Sequence, residues 1–135
     1  MIKIQKDDFF IEDEISKIKN KYDDIGAVST FIGYVRNINE NKKVKSINLE
    51  VYKEMAIYQL NYACNYAIKK WDLNNTLVIH RYGKLLVNEK IVLVATFSNH
   101  RKDSFDSCNF IIDYLKKDAP FWKKENYNFG SEWLN

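Results

Sequence analysis

Two lysines, Lys116 and Lys123, stand on either side of Pro120, the one proline among 135 residues. Between them lie Phe121 and Trp122, and Lys124 and Glu125 follow directly. A lysine that is dehydrated and has cationic neighbours is pushed toward its neutral amine, which can move a proton or attack an acyl carbon. On an unbroken helix the two lysines would share a face but sit about 10 Å apart along the axis, at 1.5 Å rise per residue. A residue before proline is driven out of the helical region. The helix through IIDYLKK must therefore end before Ala119, which leaves the chain free to turn and bring Lys123 back toward Lys116. Phe121 and Trp122 are then expected to wall off water. The plainer reading, aromatics in the core and lysines on a solvated face, stays open on these residues alone.

Two further clusters mix cations with strand ends. In GYVRN, Gly33 to Asn37, a strand runs into a loop and Arg36 can fork onto a carboxylate or phosphate. In SNHR, Ser98 to Arg101, His100 and Arg101 stand at the start of the last long helix, where an anion is favoured. Against that, an ordinary cap by Ser98 or Asp103 would leave both side chains in water. His80 and Arg81 are adjacent in a strand and point to opposite faces. One of them is expected to pair with an acid for structural reasons. Cys64 and Cys108 fall inside helical apolar patterns, lack CxxC spacing, and read as small core residues. No glycine-rich phosphate loop, nucleophile elbow or metal-ligand spacing is present. What remains is a lysine- and arginine-based site for an anionic substrate.

Positioning these residues requires a folded frame, and the composition supplies one. Twenty aromatics with four glycines and one proline do not describe a disordered chain. The length fits a single domain, residues 1–135. The net charge of +3 is spread along the sequence and suits a small anion or an acidic partner rather than nucleic acid. No apolar run reaches membrane-span length and the first ten residues carry no signal-peptide core, so a cytoplasmic protein is expected.

The periodicity predicts a helix in IEDEISKIKNKYDD, with Ile11, Ile15 and Ile18 in line and acids before lysines. Gly26 to about Val35 reads as a strand. KSINLEVY reads as another, with Ile47, Leu49 and Val51 on one face, and the two are expected to form a hairpin with a long tip. KEMAIYQLNYACNYAIKKW is a helix with Ala56, Leu60, Ala63 and Ala67 on its packing face. NTLVIHRYG and KIVLVATFS are strands joined through KLLVNE, and DSFDSCNFIIDYLKK is the last helix. The order has too few βαβ crossovers for a parallel α/β fold. It predicts an α+β domain with a largely antiparallel sheet and helices on one side.

Taken together, TFIGYVRN, VIHRYGKL, SNHR and DYLKKDAPFWKKE resemble, in order and spacing, the large catalytic subunit of molybdopterin synthase. The resemblance runs from about Gly26 to Trp133, and the DYLK…APFWK block is its most specific part. It implies an α/β-hammerhead fold and an enzyme that puts two sulfurs into cyclic pyranopterin monophosphate (precursor Z) to make the dithiolene of molybdopterin. The sulfur donor would be a thiocarboxylate on the C-terminal Gly-Gly tail of a ubiquitin-like small subunit. Two large subunits would form a homodimer with a small subunit at each end, and no cofactor is implied. By motif, Lys116 and Lys123 match the two essential lysines. Tyr34, Val35, Arg36, His100, Arg101, Lys124 and Glu125 match substrate-binding positions. Tyr34 stands where the family usually has lysine, and Asn88-Glu89 replaces a common Gly-Asp turn. Two other readings remain: a non-catalytic dimeric module that captures an acidic C-terminal tail, and an unrelated transferase for a phosphorylated substrate.

Overall fold

The structure is a computed structural model, and it describes residues 1–39, 42–127 and 130–134. The chain builds two sheets and three helices. The first sheet takes β1 (Ile2–Gln5), β5 (Asn75–Arg81), β7 (Lys90–Ser98) and β2 (Ala27–Tyr34) in the order β1-β5-β7-β2. Within it the β1–β5 pair is parallel and the others are antiparallel. The near-continuous apolar runs of β5 and β7 signal strands covered on both faces. Val78, Val92 and Val94 face α2 (Lys53–Trp71) and α3 (Arg101–Asp118), where Ala56, Leu60, Cys64, Ala67, Cys108 and Ile111 complete a buried cluster. Leu77, Ile79, Leu93, Ala95 and Phe97 form a second cluster with Ile11, Ile15 and Ile18 of α1 (Ile11–Lys19). The helices therefore flank this sheet on both sides, which corrects the expectation of one side. Alternation along β5 and β7 sends successive side chains to opposite faces, and each face is apolar.

The second sheet is built on β4 (Lys42–Val51). One edge of β4 pairs with β3 (Ile38–Asn39) and β6 (Gly83–Leu86). The other pairs with β8 (Phe121–Tyr127), which continues to β9 (Gly130–Leu134). The expected hairpin of β2 with β4 does not form. β2 pairs with β7 from Ala27 to Tyr34, while Val44, Ile47 and Leu49 of β4 bury against Val35 and Leu85 in a third cluster. Period-two alternation identifies a strand but not its partner. The α+β class holds, with antiparallel pairing predominant.

The helix that carries Lys116 ends as the proline requires. α3 stops at Asp118, and Ala119 is extended at φ −77° and ψ 139°. Phe121 N–H donates to Ala119 O at 2.9 Å, closing a three-residue turn about Pro120. Beyond it the chain enters a strand, with Pro120 just before β8, where its missing N–H costs no ladder bond. The residue types here suggest a pocket wall, and the fold makes that wall a strand of the second sheet.

A cationic cleft between the two sheets

The cleft begins where β2 leaves its sheet. The β2–β7 register slips between Gly33 and Tyr34, so the chain peels away from β7. Val35 is then held by the turn between β6 and β7: its N–H donates to Glu89 O at 3.0 Å, and its C=O accepts from Asn88 N–H at 2.9 Å. Asn88 takes the left-handed region at φ 73°, which asparagine tolerates where glycine is more usual. Val35 itself is 2% exposed and anchors the segment in the third core cluster. Its neighbours Tyr34 and Arg36 are consequently turned outward.

The opposite wall comes from β8. Lys123 pairs in register with Leu49, and Phe121 with Val51. Lys123 and Phe121 share one face of the strand, and Trp122 lies on the other, 47% exposed. Tyr34, Arg36 and Lys123 thus rim a small open cleft whose floor includes Val35, Val44 and Ile47. Two cations and a phenol beside an apolar floor suit a ligand group carrying negative charge.

Phe121 does not line this cleft. Its ring stacks on His80 with centroids 3.7 Å apart and planes at 19°. His80 is 8% exposed, and its Nδ1–H donates to Arg81 O at 2.8 Å. Burial, and secondarily the charge of Lys123, push the imidazole down to about 4, against the hydrogen bond to Arg81 O. The ring is therefore neutral near pH 7. Sequence reasoning does not select His80, because its partner Phe121 lies on another sheet and only tertiary structure joins them. Arg81 turns the other way and meets the expected acids: Nη1 lies 3.6 Å from Glu89 and 3.9 Å from Asp8. Its Nε–H and Nη1–H also donate to the carbonyls of Lys6 and Lys90. Arg81 thus braces Glu89, which in turn holds Val35.

Cys64 and Cys108 are buried, and burial raises both thiols, Cys108 to about 11. Both stay protonated at neutral pH and act as core residues. Among the described residues no helix is long and apolar enough to cross a membrane.

The family model described as MoaE protein matches residues 4–118. The molybdopterin synthase catalytic subunit of Ralstonia nicotianae is 45% identical over 134 residues, spanning 99% of this chain and 76% of that protein. The solved molybdopterin synthase of Staphylococcus aureus superposes with a TM-score of 0.91 at 32% identity, covering 98% of this chain and 96% of that one. The MoaE protein of Burkholderia ambifaria gives 0.86 at 39% identity, covering 99% and 88%. The chain belongs to the MoaE family.

As a MoaE chain it brings together only part of the expected site. Tyr34, Val35, Arg36 and Lys123 share the cleft. Lys116 is exposed on the last turn of α3, outside the residues that line it. His100 and Arg101 are exposed at the other end of the same helix. Fifteen residues separate Arg101 from Lys116, which is about 22 Å along a helix axis. The ordinary cap by Ser98 or Asp103 is not what the helix start shows: no side chain caps it, and His100 N–H donates to Ser98 Oγ at 3.1 Å in the turn just before the helix. Lys124 and Glu125 pair through their backbones with Asn48 and Ile47, and their side chains lie outside the described residues. Of the two aromatics expected to exclude water, Phe121 is packed inward and Trp122 is not.

Proposed function

We propose that this MoaE chain is the catalytic subunit of a molybdopterin synthase, moving sulfur from a thiocarboxylated protein tail onto precursor Z. The observation that carries the reading is the cleft that Arg36 and Lys123 line together with apolar residues, in a chain of this family. Arg36 and Tyr34 bind the pterin phosphate. Val35 fixes their backbone. Lys123 is the acid or base, and Lys116 holds the C-terminal tail of a ubiquitin-like small subunit or takes its acyl group transiently.

The chemistry needs these roles. Attack of the thiocarboxylate sulfur on a pterin side-chain carbon makes the new C–S bond, and the C–O bond of that carbon breaks as its oxygen is protonated and leaves. The acyl carbon then passes to water, directly or through the Lys116 amine, the old C–S bond breaks, and the tail leaves as a carboxylate. A second tail repeats the step to complete the dithiolene. Each step moves protons and develops negative charge, which a lysine can supply or offset.

We also propose a homodimer, in which the span of about 22 Å between the ends of α3 acquires a function. His100 and Arg101 are too far from Lys116 to act with it in one protomer and are absent from the lining of their own cleft, so we assign them to the cleft of the second one. Lys124 and Glu125 belong to the same binding segment as Lys123. The test is product formation. Precursor Z and thiocarboxylated small subunit are supplied, and dithiolene is measured. Product that depends on Lys123 supports the proposal. Binding of the tail without any dithiolene would instead make the chain a non-catalytic tail-capturing module.

A further inference from the structure

The stack of His80 on Phe121 joins the two sheets directly behind the cleft. His80 belongs to β5, between Ile4 of β1 and Val92 of β7 in register. Phe121 opens β8, two residues before Lys123 and on the same face of the strand. A strand can shift along its neighbours unless side chains pin it, and a one-residue slip would move Lys123 to the opposite face of β8. The imidazole is itself pinned. A carbonyl only accepts, so the contact with Arg81 O places the proton on Nδ1 and fixes both tautomer and ring plane.

We propose that His80 is a positioning residue for Lys123: the buried imidazole, docked on Phe121, fixes the strand that delivers this lysine to the cleft and meets it as an uncharged neighbour. Three observations converge on this reading. The ring contact is close and nearly parallel. The ring is buried, and its in-register neighbours Ile4 and Val92 are apolar. Of the charged groups around it, Arg81 projects to the opposite face toward Asp8 and Glu89, and Lys123 on β8 is the one whose charge acts on the ring. A charged imidazole here would repel the Lys123 ammonium, and burial prevents that above about pH 4.

The inference rests on the catalytic role of Lys123, and its first test does not. Coupling between two titrating groups is reciprocal, so removing the lysine charge must relax the histidine. The His80 ring protons are followed by NMR through an acid titration of the wild type, Lys123→Met and Lys117→Met. The midpoint is expected to rise in Lys123→Met and to stay in place in Lys117→Met. An unchanged midpoint in Lys123→Met overturns the proposal while leaving the proposed activity intact.

The second test is kinetic. His80→Ala is expected to lower kcat about tenfold or more with KM for precursor Z little changed, because ångström misplacement of a catalytic group is costly while binding is not. His80→Phe, which preserves a flat ring against Phe121, is expected to recover most of the rate. A folded His80→Asn, which has an amide donor but no ring, separates stacking from the Arg81 bond. Wild-type kcat in a folded His80→Asn or His80→Ala variant overturns the positioning role. Loss of the Lys123 requirement with the titration coupling intact would instead sink the catalytic assignment.

Discussion

Lys116 and Lys123 are the residues on which the proposed activity turns. Lys123→Ala and Lys116→Ala are each expected to lose about a hundredfold to ten-thousandfold in dithiolene formation while staying folded, the range for removing an acid or base. Lys117→Ala, on the same exposed helix turn, is expected to stay near wild type. A single-turnover assay with saturating thiocarboxylated small subunit checks all three. If both alanine variants keep more than about a tenth of the rate, neither lysine performs proton transfer or nucleophilic attack. Arg36 is tested separately. Charge-assisted hydrogen bonds contribute roughly 1.5–3 kcal/mol, so Arg36→Ala should weaken precursor Z binding about tenfold to a hundredfold. Titration calorimetry measures it, and an unchanged affinity removes Arg36 from the site. The meeting of Arg36 and Lys123 at one cleft is legible in the sequence from residue types in VRN and the APFWKK block that a core or a loop does not need together, whereas Lys116 lies outside the residues that line it. His80 is not legible there. A histidine in an apolar strand reads as structural until the aromatic that covers it, 41 positions later, is placed.

At the scale of elements, the helices and buried strands follow from periodicity, because burial of one face imposes it. Strand partners do not follow, since β2 and β4 alternate alike and yet belong to different sheets. β8 escapes a periodicity reading because its inner-face residues, Phe121 and Lys123, are not a repeating apolar set. The joint between the sheets also sets an acid limit. An unfolded histidine titrates near 6.5 and the folded His80 near 4. Its neutral form is therefore favoured by the fold. That contribution is complete above about pH 6.5 and is lost as pH falls toward 4, on the order of 3 kcal/mol in all. Urea midpoints between pH 7 and 4 should fall in the wild type and fall less in His80→Phe, which has no proton to gain. Equal slopes would show that the ring is hydrated in the native state. Gly26 is a second element-scale case. A Cβ there would sit 2.2 Å from Asn99 O, while Gly26 N–H donates to Ser98 O at 2.9 Å. Gly26→Ala must push the backbone before His100 aside, and overpacking of this kind costs about 1–3 kcal/mol. A urea melt at pH 7 reads it, and an unchanged midpoint would mean that this backbone yields freely.

For the whole molecule, the decisive geometry is that one helix carries two halves of the expected site at opposite ends. Sequence motifs group His100, Arg101 and Lys116 as one pocket, because order along a chain does not encode distance through space. The proposed two-fold dimer would resolve the conflict, since each helix could then offer its N-terminus to one cleft and its C-terminus to the other. The arrangement makes a prediction that a self-sufficient protomer does not. Take Lys123→Ala and Arg101→Ala, assayed at a precursor Z concentration low enough that each is expected to be nearly inactive as a homodimer. In a mixed dimer, one cleft receives Lys123 from the Arg101→Ala protomer and Arg101 from the Lys123→Ala protomer, so it is intact. The other cleft carries both lesions. Random reassortment makes about half the dimers mixed, each with one working cleft of two, so activity should return to about a quarter of wild type. The two variants are unfolded together in denaturant, refolded as a mixture, and assayed for dithiolene against each variant refolded alone. Sedimentation of the same samples establishes that dimers have reformed. Recovery near a quarter means that the protomers share their sites. No recovery in a sample that is demonstrably dimeric and reassorted would return His100 and Arg101 to their own protomer's surface, where both are exposed, and would leave the cleft of Arg36 and Lys123 to bind the phosphate alone.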